Sequence, residues 1–445
     1  MKVRGEELEE DQEIYSYHSF MLPFSFNVAN RVDILKNWTQ KEYEVSYPQE
    51  RYFHQFFKDS MFKDTSYFEY ETYKDKDLTI KKSKEYNLTI ESVNLRLFEI
   101  NIGILTINIK NTKYEDLPSI LEINDFIRRL YPECYSYNKD EDCSLLKFKI
   151  DSEDENMLFN KDDQNFDISN LVQQFLPTNK IVPSVDDKMF VISFYKNEKI
   201  SNNLKEEFTK NDDWYRYVFI DGGDKTVQNY PMQKKLLEDA TYPRWQQYGT
   251  MYGMTRSSFV CLSSDDMPLE DMRSIYYNMF SLLIMIKATL LKFSNEISRI
   301  AKDIGKSDIR EDVNKLYKSY IQFVNWFYFR EITGKDQGIE LYDMGMSIFN
   351  IQRDIKDLDE EIEELHNYIE IQTEKERNNE FDKLNKLGYV FLPGTFIAGL
   401  FGMNTIYGID NMFGFVFSIG IIIYSTLYLS KLNKIDIKEF FTKNR

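Results

Sequence analysis

The sequence predicts an α+β cytosolic domain, a sheet with helices, followed by a long stalk helix and two C-terminal transmembrane helices. Three patterns carry that expectation. Apolar residues alternate with a period of two in the N-terminal half, recur at steps of three and four from Ile348 to Ile369, and then fill two uncharged runs near the C-terminus. With 445 residues and a mean hydropathy of -0.51, the chain is too polar for a transporter built mainly of membrane helices. Its 42% hydrophobic residues are ample for packed cores. The 73 Asp and Glu against 56 Lys and Arg leave a net charge of -17, which opposes direct DNA or RNA binding and draws cations toward the surface. Cys134, Cys143 and Cys261 lack zinc spacing, and His18, His54 and His366 lie far apart. Neither a disulfide framework nor an enzyme is expected.

The chain opens on acids where a secretory leader would be apolar, so no signal peptide is expected. Residues 1–270 read as an α/β sensor domain. Within it, 88–110 gives two strands, with Val93, Leu95 and Leu97 alternating, then Ile100, Ile102 and Ile104. Residues 117–130 suit an amphipathic helix, and 188–195, 214–220 and 256–262 read as further strands. Asp221-Gly-Gly-Asp224 reads as a hairpin turn rather than a phosphate loop. Acidic stretches around Asp140 and over 151–167 are expected as exposed loops.

A helical segment follows over 271–335. Its apolar part, 279–293, is too short for a bilayer and carries Lys287 and Lys292, so it is expected as a soluble core helix. The stalk is assigned to 336–386. Its seam is Ile348, Ile351, Ile355, Leu358, Ile362, Leu365 and Ile369, a coiled-coil spacing with an acidic back. No proline interrupts from Asp336 to Leu392, so one helix of roughly 100 Å is expected.

Residues 387–404 and 412–430 read as membrane helices joined by an outer loop, 405–411, and followed by a basic cytosolic tail, 431–445. Lys383 and Lys386 precede the first span, Lys431, Lys434 and Lys438 follow the second, and the loop has no basic residue. The positive-inside rule then places both termini in the cytoplasm of an inner-membrane, two-pass protein.

The first span closes in Phe401-Gly402-Met403-Asn404, after Phe391-Leu-Pro-Gly-Thr-Phe-Ile-Ala-Gly399. Here, over 336–430, the sequence resembles the CorA family of magnesium channels, whose signature is Gly-Met-Asn at the outer end of the first of two C-terminal helices. The resemblance implies a homopentamer with a funnel-shaped cytosolic domain and a pore lined by the first membrane helix. It assigns the entrance to Gly402, Met403, Asn404 and Asp410. Magnesium sheds water reluctantly, so a ring of neutral Asn404 amides suits its hydrated form. Thr395, Leu392, Gly388 and Leu384 share one helix face, which the resemblance makes the pore face, with Thr395 a polar station and the leucines apolar constrictions. The family's acidic Met-Pro-Glu cluster is missing after the motif, where only Asp410 stands.

Three segments, His18-Ser-Phe-Met-Leu-Pro-Phe24, residues 124–132 and residues 248–260, resemble CorA-like proteins associated with type III CRISPR loci. That resemblance implies a membrane effector switched by a nucleotide-derived second messenger. Such a ligand needs aromatic faces and cations, and Arg128, Arg129, Trp245, Tyr252 and Arg256 are the candidates. Two readings stay open: a signal-gated antiviral channel, and a constitutive magnesium uptake channel regulated by intracellular Mg2+. In either, Mg2+ or another divalent cation is the transported or regulatory ion, and the partners are the lipid bilayer and the chain's own copies.

Overall fold

The computed structural model describes residues 13–132, 146–159, 167–185, 187–223, 226–305 and 309–402, with positions 416, 419, 420, 423, 424 and 428. The chain divides into two compact units, Met1–Glu361 and Ile362–Arg445. In the first, thirteen strands form one sheet among the described residues. They are β1 Ser16–Phe26, β2 Thr39–Lys41, β3 Ser66–Glu69, β4 Lys76–Lys81, β5 Glu85–Phe98, β6 Ile102–Asn111 and β7 Lys147–Ile150. Then come β8 Asn156–Met157, β9 Ile181–Pro183, β10 Phe190–Lys196, β11 Thr241–Tyr242, β12 Thr250–Met254 and β13 Ser258–Ser263. The order is β11-β12-β13-β10-β1-β6-β5-β4-β7-β8, with β3 and β9 branching from β5 and β1. Among these pairings only β10–β13 is parallel. The principal helices are α1 Leu117–Ile127, α2 Asp212–Phe219, α3 Tyr230–Ala240, α4 Tyr277–Asp303, α5 Arg310–Trp326, α6 Asp336–Ile348 and α7 Ile351–Gly402.

Alternation along the strands places helices on both faces. On β13, Phe259 stacks on Phe280 of α4 at 4.2 Å. Its neighbour Val260 points the other way, into a cluster with Trp214 and Val218 of α2 and Leu121 of α1. On β6, the Thr106 hydroxyl meets the Tyr277 hydroxyl of α4 at 3.1 Å, while Ile107 joins Ile123 and Phe126 of α1. β1 is thus covered on both sides, which explains its nearly continuous burial, polar Ser16, His18 and Ser19 included. It still accommodates Pro23, a residue without an N–H. β10 leaves β1 at Met21 and β9 joins only at Phe24, so the missing donor falls in the gap between them.

The strands expected over 88–110 are β5 and β6, those over 188–195 and 256–262 are β10 and β13, and the helix at 117–130 is α1. The strand expected at 214–220 is instead helix α2. Asn211 caps it, its side chain accepting from Trp214 N at 2.9 Å, and Asp212 and Asp213 sit in the positive first turn. Residues 221–223 accordingly follow a helix rather than a strand, and Asp224, the last residue of the expected hairpin turn, lies outside the described residues.

α4 belongs to a helical run, Leu269–Asp303, that is long and apolar enough to cross a membrane. Yet 83% of that apolar window is buried in the protein. Each buried Leu, Ile or Phe contributes roughly 1.5–3 kcal/mol against exposure to water, and taking this helix into lipid would strip one whole face of the sheet. It packs as the core helix expected at 279–293.

The single stalk helix expected from Asp336 is two helices. α6 ends at Ile348, and Asn350 takes a left-handed conformation with φ 55° before α7 begins. Asn tolerates that region better than most residues, and its carbonyl then accepts the Asp354 N–H at 3.0 Å, starting α7. Ile348 is half-buried, while Ile351, Ile355, Leu358, Ile362, Leu365 and Ile369 are all buried. The apolar seam therefore survives the break.

Candidate functional site

α7 runs unbroken to Gly402. At 100° per residue, Leu384, Gly388, Leu392 and Thr395 fall within an arc of about 80° on its surface. The Thr395 hydroxyl donates back to the carbonyls of Phe391 and Leu392, at 3.2 and 3.0 Å, as polar side chains do in apolar helices. Around this arc the helix is apolar and bare: Leu384 is 61% exposed, Phe391 59%, Leu392 67% and Phe396 69%. Val416, Ile419, Ile423, Tyr424 and Tyr428 are likewise exposed. Met403, Asn404 and Asp410 lie outside the described residues.

The five candidate ligand residues of the first unit do not form one site. Tyr252 is a core residue of β12, parallel to the Phe259 ring at 5.8 Å and edge-on to Tyr276 at 5.4 Å. Trp245 stands with Tyr248 and under Arg244, whose guanidinium is held by Glu340 at 2.6 Å. Arg129 pairs with Asp125 at 2.6 Å. Burial pushes the Asp125 carboxyl up, but Arg129 and Lys82 outweigh it and hold the group well below the usual carboxylate range.

Arg128 and Arg256, by contrast, line the same cavity, of about 730 Å³. It opens beside Pro23, where β1 changes partners, and extends along α4 to the α6–α7 joint. Arg128 follows α1 and is 5% exposed; its Nη2 donates to the Ile220 carbonyl at 3.0 Å and lies 3.5 Å from Asp125. Its Nε has no partner. Burial lowers its pKa from the ordinary guanidinium value, though it stays a cation. Arg256 reaches from the β12–β13 turn to the Ile348 carbonyl at 3.4 Å, at the negative C-terminal end of α6. Lys287 and Lys292 of α4 complete the wall with Arg353 of α7. Lys287 Nζ holds Asp354 at 2.5 Å, and Lys292 Nζ donates to the Ile100 carbonyl at 2.8 Å. Burial lowers the Lys292 pKa. The two lysines had a sequence signal, because cations in an otherwise apolar helix need partners. Among the described residues, no three His, Cys, Asp or Glu side chains gather as a metal centre would require.

An α/β sheet unit thus precedes a long helix that ends in exposed apolar residues. Residues 275–431, somewhat more than a third of the chain, match the family described as CorA-like Mg2+ transporter protein. By its description that family transports Mg2+. The match begins within the helical run of α4 and covers α5, α6 and α7, leaving the sheet outside it. No protein of curated function matches the chain.

Proposed function

We propose that the chain assembles as a homopentameric channel for a divalent cation, Mg2+ above all, gated by its N-terminal α/β domain. Residues 387–404 and 412–430 cross the inner membrane, the loop 405–411 faces outward, and both termini are cytoplasmic. The observation that carries this reading is the bare apolar surface of α7 from Leu384 to Phe396. A helix so exposed is unstable in water and needs lipid and neighbouring copies around it. In that assembly Leu384, Gly388, Leu392 and Thr395 line the pore, and five Asn404 amides with Gly402 and Met403 form its entrance, under a ring of Asp410. Neutral amide oxygens bind hydrated magnesium without trapping it.

Of the two modes of regulation, the cation-lined cavity in the α/β unit favours gating by an anionic signal over constitutive uptake. A nucleotide-derived second messenger of a type III CRISPR defence system fits that description, with channel opening as the antiviral effect. The test is magnesium flux into liposomes carrying the purified chain, with a fluorescent indicator inside. Expected are a pentamer in detergent and a flux that depends on the protein. A monomer in detergent, or no flux with or without added nucleotide, overturns the reading.

A further inference from the structure

The cavity beside Pro23 is unusual in a chain of net charge -17. Its wall carries Arg128, Lys188, Arg256, Lys287, Lys292 and Arg353 against only Asp187 and Asp354. Such clustering of like charge costs energy unless a counter-charge enters. Both of those carboxylates are engaged, Asp187 beside Lys188 at 3.9 Å and Asp354 with Lys287, and from outside the wall Asp125 lies 3.5 Å from Arg128, Glu296 3.9 Å from Lys292 and Asp357 4.0 Å from Arg353. Buried Arg128 keeps an N–H with no acceptor, a desolvated donor whose cost is relieved only when one arrives. The remaining wall mixes apolar side chains, among them Phe190, Phe219, Ile284, Leu291 and Phe349, with polar ones such as Ser25, Ser257 and Asn295. The first turn of the long helix α7 opens onto the same space through Asn350 and Arg353, and helix starts favour anions.

We infer that this cavity binds a soluble, phosphate-bearing organic anion, and that the anion competes with Asp354 for Lys287, loosening the α6–α7 joint. The inference deepens the proposed gating and rests on it for its consequence, though the binding step stands by itself. Phosphate oxygens would accept from Arg128 Nε and from the flexible cations at the rim, Arg256 and Arg353, while an apolar moiety lies against the phenylalanines. Lys287 is the pivot. Bound to Asp354, it ties the root of α7 to the core helix α4; drawn to a phosphate, it releases that tie. Asp354 then faces Arg353 alone, 3.5 Å away.

The test uses the full chain in detergent, titrated calorimetrically with ATP and with pyrophosphate at constant ionic strength. Both are expected to bind, ATP more tightly because of its apolar base. Arg256→Gln with Arg353→Gln, at exposed positions that leave the core intact, should weaken binding at least tenfold. Arg128→Met should abolish it. No binding of either probe to folded protein overturns the inference, as does binding that the exposed double variant leaves unchanged. Short-chain phosphatidic acid displacing ATP would overturn the assignment to a soluble ligand. In liposomes, ATP bound without any change in flux overturns the coupling while leaving the channel intact. Binding without any flux at all removes the channel reading and leaves the site standing.

Discussion

Arg96 Nη1 donates to Asn278 Oδ1 at 2.9 Å, joining β5 to the core helix α4 through a charge that is 2% exposed. The guanidinium is enclosed by tyrosine rings, 5.0 Å from Tyr43, 5.9 Å from Tyr67 and 5.6 Å from Tyr277. Ring faces and one amide thus stand in for a carboxylate. Loss of a hydrogen bond to a buried charge costs about 1.5–3 kcal/mol. Asn278→Ala should therefore lower stability by about that amount in urea unfolding followed by tryptophan fluorescence. Asn278→Asp supplies a true counter-charge but loses the Nδ2 donor to the Ser274 carbonyl at 2.7 Å and to the Tyr43 hydroxyl at 2.8 Å, so it should recover only part of that loss. Equal losses in the two variants would show that packing, not the charge, sets the effect.

Acid should destabilise the sheet through His18. Burial pushes its imidazole pKa down from 6.5 to about 3. The ring lies 2.8 Å from the Ser16 hydroxyl and 3.1 Å from that of Ser193, both neutral. Above pH 6.5 the folded and unfolded chains are both neutral here, and no penalty exists. Between 6.5 and about 3 the unfolded chain takes up a proton that the folded one refuses, so stability falls as pH falls, by about 1.4 kcal/mol per unit. At pH 5 the loss is about 2 kcal/mol. Asp125 acts in the same sense only at lower pH. His18→Gln keeps hydrogen-bonding atoms without the titration and should flatten the stability profile between pH 7 and 5. An unaltered slope in that variant would remove His18 as its origin.

Gly253 of β12 leaves no room for a side chain. A Cβ there would stand 2.5 Å from Val218 Cγ2 and 3.2 Å from the Trp214 ring, both on α2. Overpacking of this kind costs about 1–3 kcal/mol, so Gly253→Ala should lower the melting temperature. Val218→Ala in the same chain should restore part of the loss. No rescue would mean that the strain lies elsewhere.

That contact also shows where sequence patterns fell short. Residues 214–220 are aromatic and apolar enough to read as a strand, and the Asn211 cap that makes them a helix is a weaker signal than their composition. β6, β10 and β13 are legible because both faces are covered and their runs are rich in apolar residues, and β5 because its first half alternates exposed and buried positions. The seam from Ile351 to Ile369 was legible for the same reason: its spacing is the burial pattern. The break before it was not, since a left-handed Asn carries no mark that a solvent-facing Asn lacks. At the cavity, Arg128 and Arg256 were found among cations suited to a ligand. Trp245 and Tyr252 have the same suitable chemistry, but distance along the chain says nothing of which wall a side chain joins.

The entrance of the proposed pore is open to a direct measurement. With Asn404→Ala the ring of amide acceptors is gone, and hydrated magnesium loses its first station. Magnesium flux in liposomes should fall about tenfold, equivalent to about 1.4 kcal/mol, while the melting temperature of the α/β unit is unchanged. Flux equal to that of the unaltered chain would displace Asn404 from the entrance.

The joint between α6 and α7 turns on Asn350, whose φ of 55° lies where side chains with a Cβ are strained. Asn350→Gly relieves the strain and should leave the fold intact with little change in stability. Asn350→Val places a β-branched residue in the same region at a cost of about 1–3 kcal/mol. The chain can avoid that cost by continuing α6 into α7 as one helix, but doing so would turn Asp354 away from Lys287. Asn350→Val should therefore lose stability and also abolish any further effect of Lys287→Met, since the tie is already broken. If the two substitutions instead lower stability additively in urea unfolding, the left-handed turn and the Lys287–Asp354 contact are independent, and the joint does not work as one unit.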